Sequence, residues 1–453
     1  MGAGVQPTWL LAGRMMALNG PETAHVLIAV GLLLLAAHGV GHLFTLVRQP
    51  RVIGEIVGGL LLGPTVLGTL APDVQARIFP PEGPTAIVLG WTYQLGLFLL
   101  MFCSGAEMRT VFRRGDGRVV GFVTVTGLVC PFVAGAVLFR FVDSAPLLGA
   151  AQSRPALLLV FSLAIAVTSI PVISRIMFDL GIIETSFARI VLGVAVIEDV
   201  VVYVVLALAL GMVTTSTEEK FGLPGLMHFQ AGSVESLAFH AFATVAVFVV
   251  VLTAGARGFR WSRRQRWNLV ANGNPIAYFL VFIFGGTLLC LWLGITPMFG
   301  AFLAGIAASA GKGPRVTAAR ESIKSFSFAF FVPVYFAIVG LQLDLVRHFD
   351  PLFFVWFLVF ACAAKSASVY LGARLGGEGR RGATNLAVAT NARGGPGIVL
   401  ASVAYSAGII AQEFYACLVM LAIVTSLLAG SWLGRVVRSR QPLRDERPVE
   451  AVR

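Results

Sequence analysis

Glu198 and Asp199 stand side by side in the middle of the apolar run LGVAVIEDVVVYVVLALALG. A charged side chain at the centre of a bilayer costs about 2.5–3.5 kcal/mol even on the most lenient scale. It is therefore retained for handling ions or protons, or for pairing with an opposite charge. Two cations lie at comparable depth, Lys365 in PLFFVWFLVFACAAKSASVYLGARL and Arg393 in NARGGPGIVL. Neighbours on a helix project about 100° apart, so the two carboxylates cannot face one cavity. One is expected to address an ion path while the other turns to a packed helix, where Lys365 can neutralise it. The competing expectation is that all three form a buried structural ion network.

Other residues are weaker candidates. Thr168 and Ser169, in TSIP, supply hydroxyl oxygens beside a helix breaker, and a cation needs oxygen ligands; hydrogen bonding back to their own helix is the plainer role. Arg393 either ties helix ends and carbonyls together or contacts substrate. Tyr203, one turn beyond Asp199, lines a path or simply packs. His38 and His42 share a helix face at i, i+4 but lack a third ligand, so packing or helix–helix hydrogen bonding is expected in place of a metal site. Glu55, Glu107 and Asp344 fall near span ends, where charge is tolerated. No G-x-x-x-x-G-K-[ST] run exists, which argues against an ATP-driven pump. The 5 cysteines sit in apolar runs without a CxxC pattern, and no cofactor is implied.

The elements that hold these residues are membrane helices. Of the 453 residues 57% are hydrophobic and 12% charged, the composition of an integral membrane protein. Thirteen spans are expected, among them 156–178, 188–213, 236–256, 325–343, 352–374 and 384–405. The net charge of +12 could suggest nucleic acid, but the basic residues crowd into alternate loops, and that pattern excludes it. With the N-terminus outside, only Arg14, Arg77, Arg140, Arg154, Lys220 and Arg347 of the 34 Lys/Arg are external; Lys365 and Arg393 are buried and all others are cytoplasmic. The C-terminus is then cytoplasmic. The first span has no basic n-region or cleavage site and reads as a retained helix. The 214–235 loop is the longest external connector and could carry a short surface helix. The tail beyond Leu433 is too short for a folded regulatory domain.

The two halves of the chain echo each other. GEIVGGL from Gly54 resembles GAFLAGI from Gly300; GAEMR from Gly105 resembles GLQLD from Gly340; the breaker TSIP from Thr168 has its counterpart in NARGGP from Asn391. Partners lie an odd number of spans apart, so the repeat is expected to be inverted. Paired broken helices in corresponding positions point to a substrate site in secondary transporters. Interrupted helices bring free N–H and C=O ends to mid-membrane, where they balance charge.

The stretches VIGEIVGGLLLGPTVLG, LGLFLLMFCSGAEMR, TSIPVISRIMFDLGIIETSFARIVLGVAVIEDV, PMFGAFLAGI, FFVPVYFAIVGLQLD, the Lys365 span and NARGGPGIVL, from about 52 to 435, resemble the cation:proton antiporter superfamily. The resemblance is to its sodium/hydrogen exchanger branch, with Kef-type potassium systems and plant CHX-type exchangers, but without the C-terminal nucleotide-binding domain of Kef systems. It implies an all-α polytopic fold of thirteen helices with two crossed broken helices, a homodimer in the lipid bilayer of the cell inner membrane, and exchange of protons for Na+ or K+. A dimerisation domain (1–106 and 269–350) would hold a core domain (107–213 and 351–435) that moves as an elevator, with 214–268 as loop and linker span and 436–453 as tail. Asp199 matches the ion-carrying aspartate and is the one site for the transported metal ion. Glu198 occupies the preceding position, usually Asp in electrogenic members and Asn in electroneutral ones, and Lys365 matches its partner. Thr168 and Ser169 match the unwound stretch lining the ion site. Rival expectations are a same-fold carrier of an organic or anionic solute, recognised by Arg393, and a membrane-embedded acid/base enzyme or sensor.

Overall fold

The computed structural model describes residues 18–47, 49–107, 117–213, 222–227, 234–265, 268–311 and 313–444. The arginines expected at 109–114, most of the 214–235 loop and the segment 445–453 lie outside them. Within that loop a short helix, Gly222–Leu226, is described. The described residues are helical, with one isolated bridge between Leu148 and Ile410. Ten described helices are long and apolar enough to cross a membrane.

In chain order the principal helices are α1 (Gly20–Leu46), α2 (Arg51–Leu62), α3 (Pro84–Glu107), α4 (Gly117–Leu138), α5 (Arg154–Ala166), α6 (Ile170–Asp179), α7 (Ser186–Gly211) and α8 (Val234–Val250). They continue as α9 (Pro275–Trp292), α10 (Pro297–Ala308), α11 (Pro314–Phe326), α12 (Val332–Leu341), α13 (Pro351–Leu375), α14 (Arg380–Ala389), α15 (Gly394–Ser406) and α16 (Gln412–Arg438). Local chemistry sets their starts. Asn19 and Glu22 close a reciprocal capping box on α1, each side chain accepting from the other's amide at 2.9 Å. Asn274 and Asp350 cap α9 and α13 immediately before a proline at the first helical position. On α1, Leu27 (66% exposed) and Leu35 (72%) face away from the rest of the protein, as suits a helix at the rim of a membrane bundle.

The expected span 156–178 is broken into α5 and α6, and 384–405 into α14 and α15. Two other boundaries differ from expectation. The helix expected to start near 325 starts at Pro314 and passes through a π-helical turn, Ser327–Phe331, into α12. Its first part, PRVTAARESIKSF, is a polar helix, invisible to a search for apolar runs. The 236–256 span likewise runs on through a π-helical turn, Val251–Gly255, into Ala256–Arg264.

The helices pack in two groups. One contains α1, α2, α3, α9, α10, α11 and α12; the other contains α4, α5, α6, α7, α13, α14, α15 and α16. Small residues let axes approach closely in a membrane. A Cβ on Gly59 would run into the Ala337 carbonyl and one on Gly340 into the Ile56 carbonyl, where α2 crosses α12. The α3–α10 crossing is built the same way, with Gly105 against the Phe302 carbonyl and Gly305 against that of Phe102. After α16 the chain returns as a strap. Asn385 donates to the Leu443 carbonyl at 3.0 Å, and Arg444 pairs with the buried Glu378 at 2.8 Å.

Gly340→Leu would force α2 and α12 apart and is expected to destabilise the protein by about 3 kcal/mol. Thermal unfolding of the purified protein in detergent checks this; an unchanged transition would mean that the crossing is looser than described.

Candidate functional site

The breaks in α5–α6 and α14–α15 meet in the buried interior. Between α5 and α6, Val167 is extended and the Ser169 amide donates to the Ala392 carbonyl at 2.6 Å. The Thr168 hydroxyl donates to the Thr390 carbonyl at 2.6 Å. The Ser169 hydroxyl accepts from the Gly395 amide at 3.0 Å. Each interrupted segment thus supplies partners for backbone groups that the other has freed, as hydrocarbon requires. Glycine is obligatory at 394, because a Cβ there would strike the side chains of Val172 and Ser169. Thr425 and Ser426 of α16 complete the join, accepting from the amides of Arg393 and Gly394 at 3.4 and 3.3 Å.

Both buried cations serve the end of α5. The Lys365 ammonium donates to the carbonyls of Gly127 and Ala166 and to Glu198 Oε1, the last at 2.7 Å. Three donors meet three acceptors, so the ammonium is fully satisfied. Arg393 donates from Nε to the Ala164 carbonyl (3.1 Å) and from Nη2 to those of Ile165 (3.0 Å) and Ala361 (2.9 Å). Its Nη1 reaches the Asn391 carbonyl and Asn391 Oδ1 at 3.3 and 3.2 Å. The guanidinium therefore spends its donors on protein oxygens, mostly carbonyls.

The two carboxylates differ sharply. Glu198 turns toward α4, α5 and α13 and is held by Lys365, with Oε2 unpartnered. Asp199 is 1% exposed and neither of its oxygens has a hydrogen-bond partner. Such an acid is chemically suited to bind a proton, or a cation with which the proton competes. The structure brings Glu198 and Lys365 together, and joins Thr168 and Ser169 to the Arg393 break. It leaves Asp199 apart from both cations. The hydroxyls of Thr168 and Ser169 knit the breaks and do not stand free.

Elsewhere, His38 Nε2 lies 2.8 Å from the Ala329 carbonyl in the π-helical turn, and its Nδ1 faces Arg51, which also pairs with Glu55 at 3.2 Å. That is a helix–helix contact. Asp344 caps amides of its own turn, and the Glu107 side chain lies outside the described residues. Among the described residues no group of three His, Cys, Asp or Glu could hold a metal. Thr425 and Ser426 were not among the sequence candidates, and Asn391, expected only as the start of the second break, also donates to Ser366 Oγ at 2.7 Å. The adjacent Thr425-Ser426 pair within an apolar run was the available signal.

Comparison with known proteins gives a consistent result. The model of a family described as "Sodium/hydrogen exchanger, transmembrane" matches residues 30–439. The Na(+)/H(+) antiporter NhaS4 of Synechocystis is 28% identical over 90% of this chain and 95% of its own. Cation/H(+) antiporter 15 of Arabidopsis thaliana is 29% identical over 83% of this chain, which spans only 44% of that longer protein. The solved sodium proton antiporter MjNhaP1 of Methanocaldococcus jannaschii superposes with a TM-score of 0.60 over 92% of this chain and 99% of its own; at 15% identity this is a likeness of fold.

Removing the ammonium strands Glu198 and two carbonyls, so Lys365→Ala is expected to cost about 3–5 kcal/mol. The double variant Glu198→Ala plus Lys365→Ala should recover part of that loss. Unfolding in detergent across the cycle measures the coupling; strict additivity would show that the pair contributes nothing.

Proposed function

The chain belongs to the transmembrane sodium/hydrogen exchanger family, and on that premise we propose that it exchanges protons for a monovalent cation, Na+ or K+, across the cell inner membrane. The observation that carries this is Asp199: a carboxylate buried beside two interrupted helices, with both oxygens unpartnered, while Lys365 is committed to Glu198 and Arg393 to carbonyl oxygens. A proton and a partly dehydrated cation compete for it, and neither binds productively while the other is present.

Alternating access follows an elevator course. The group holding α4–α7 and α13–α16 is the moving core (107–213 and 351–435), and the group holding α1–α3 and α9–α12 is the dimerisation domain (1–106 and 269–350). The separate packing of the two groups supports this division. Thirteen spans result when the two broken segments and the short α10 are counted with the ten long helices. The matched glycine crossings support the inverted repeat: the operation that pairs α2 with α10 and α3 with α12 carries the α2–α12 crossing onto α10–α3. The basic loops place the N-terminus outside and the C-terminus in the cytoplasm. The engagement of all Arg393 donors within the protein favours cation exchange over carriage of an anionic solute, because that guanidinium is not free to receive one.

Asp199→Asn is expected to lower exchange by about 100-fold or more without unfolding the protein. Proteoliposomes with an entrapped pH dye, challenged in turn with lithium, sodium, potassium and rubidium, read this directly. Retained cation-driven collapse of the pH gradient would overturn the assignment. The Glu198–Lys365 pair adds a second titratable position and makes exchange electrogenic. Rates in vesicles should therefore respond to an imposed membrane potential; indifference would remove this part alone.

A further inference from the structure

Besides Asp199, buried hydroxyl groups without a hydrogen bond stand on α3, α7, α12 and α15. Tyr203, one turn along α7, is fully buried, its ring 4.8 Å from Phe302 of α10. Tyr335 of α12 is within electrostatic reach of Tyr203, with its ring 5.0 Å from Tyr93 of α3. The Ser402 hydroxyl of α15 faces the phenols of Tyr93, Tyr335 and Tyr415. Only Tyr415 is hydrogen-bonded among these four, donating to the Val339 carbonyl at 3.0 Å and so joining α16 to α12. The oxygens of Tyr93, Tyr203, Tyr335 and Ser402 are buried without a hydrogen bond, as are both oxygens of Asp199.

Buried hydroxyls are ordinarily hydrogen-bonded, and each exception calls for an explanation. Four of them, on four different helices, weaken the fold with no structural return. Their chemistry suggests one. All are neutral oxygens, and a hard cation that sheds part of its hydration shell needs oxygen ligands. Neutral ligands also hold a passing ion loosely enough to release it, which a carboxylate in the same position would not. The set straddles the boundary between the two helix groups: Tyr93 and Tyr335 belong to one, Tyr203, Ser402 and Tyr415 to the other. Sliding one group past the other would make or break the ligand set.

We propose that Tyr93, Tyr203, Tyr335 and Ser402 form a second, neutral subsite for a partly hydrated Na+ or K+ ion on the outer route to Asp199, with the Tyr415–Val339 hydrogen bond as the latch that closes it. This rests on the antiporter assignment and the orientation given above, and it adds a residue-level asymmetry between the two faces. The ion pauses here before reaching the carboxylate, and the proton leaving Asp199 departs along the same hydroxyls.

The test uses the full-length protein in membrane vesicles of both orientations, measuring apparent KM for sodium and potassium at each face. Ser402→Ala and Tyr335→Phe each delete one oxygen and keep the packing. Both are expected to raise the outer-face KM about three- to tenfold and leave the inner-face KM within about twofold. Ser402→Thr, which restores a hydroxyl, should stay near wild type at both faces. An equal rise at both faces, or none at either, overturns the subsite. Unfolding temperature identifies any variant that misfolds, and Tyr93→Phe, with the same expectation, then decides in its place. Wild-type vesicles in which no cation moves protons from either face would remove the antiporter assignment instead.

Discussion

Hydrocarbon offers no hydrogen bonds, so a helix interrupted at mid-membrane survives only if its freed backbone groups find partners inside the protein. The rest of the molecule is arranged around meeting that demand twice at one place. The Ser169 amide takes the Ala392 carbonyl, the Thr168 hydroxyl takes the Thr390 carbonyl, and the Gly395 amide takes the Ser169 hydroxyl. Neither break could exist alone. Their mutual satisfaction explains why α6 and α15 approach so closely that Gly394 admits no side chain.

Charge placement follows from the same constraint. The carbonyl end of α5 is a concentration of negative partial charge with no helical partner. Lys365 and Arg393, the two buried cations among the described residues, are committed to it. Glu198 balances the lysine. Asp199 is left as the acid with no protein counter-charge in contact. On the function proposed above, the distribution separates architecture from cargo handling: one pair of neighbouring residues on α7 supplies both, because adjacent positions on a helix face different surroundings.

The bilayer made much of this legible beforehand. It imposes length and apolarity on each span, so the long helices follow from hydropathy, and it makes buried charge so scarce that Lys365 stood out as the partner of one of the two carboxylates; that Glu198 is the one came from the family resemblance. TSIP and NARGGP marked the breaks because proline and glycine change the backbone itself. What escaped were interactions through the main chain. Nothing in the residue types announces that Ala392 lends its carbonyl to Ser169, or that Arg393 reaches three carbonyls on two other helices. The polar start of α11 at Pro314 was missed for a related reason: an amphipathic extension in water carries no membrane signal. The hydroxyls of Tyr93, Tyr335 and Ser402 are scattered over three distant segments, and each alone reads as packing.

The commitment of Arg393 to carbonyl oxygens bears on how genetic data for such a carrier should be interpreted. A saturation screen scoring growth in salt would flag position 393 as strongly as position 199, since losing the guanidinium collapses the junction on which the carboxylate depends. Phenotype severity alone therefore overcounts the groups that meet the ion. Separating scaffold keystones from true ligands requires a readout of cargo preference, in which a keystone shifts every alkali metal alike and a ligand reorders them.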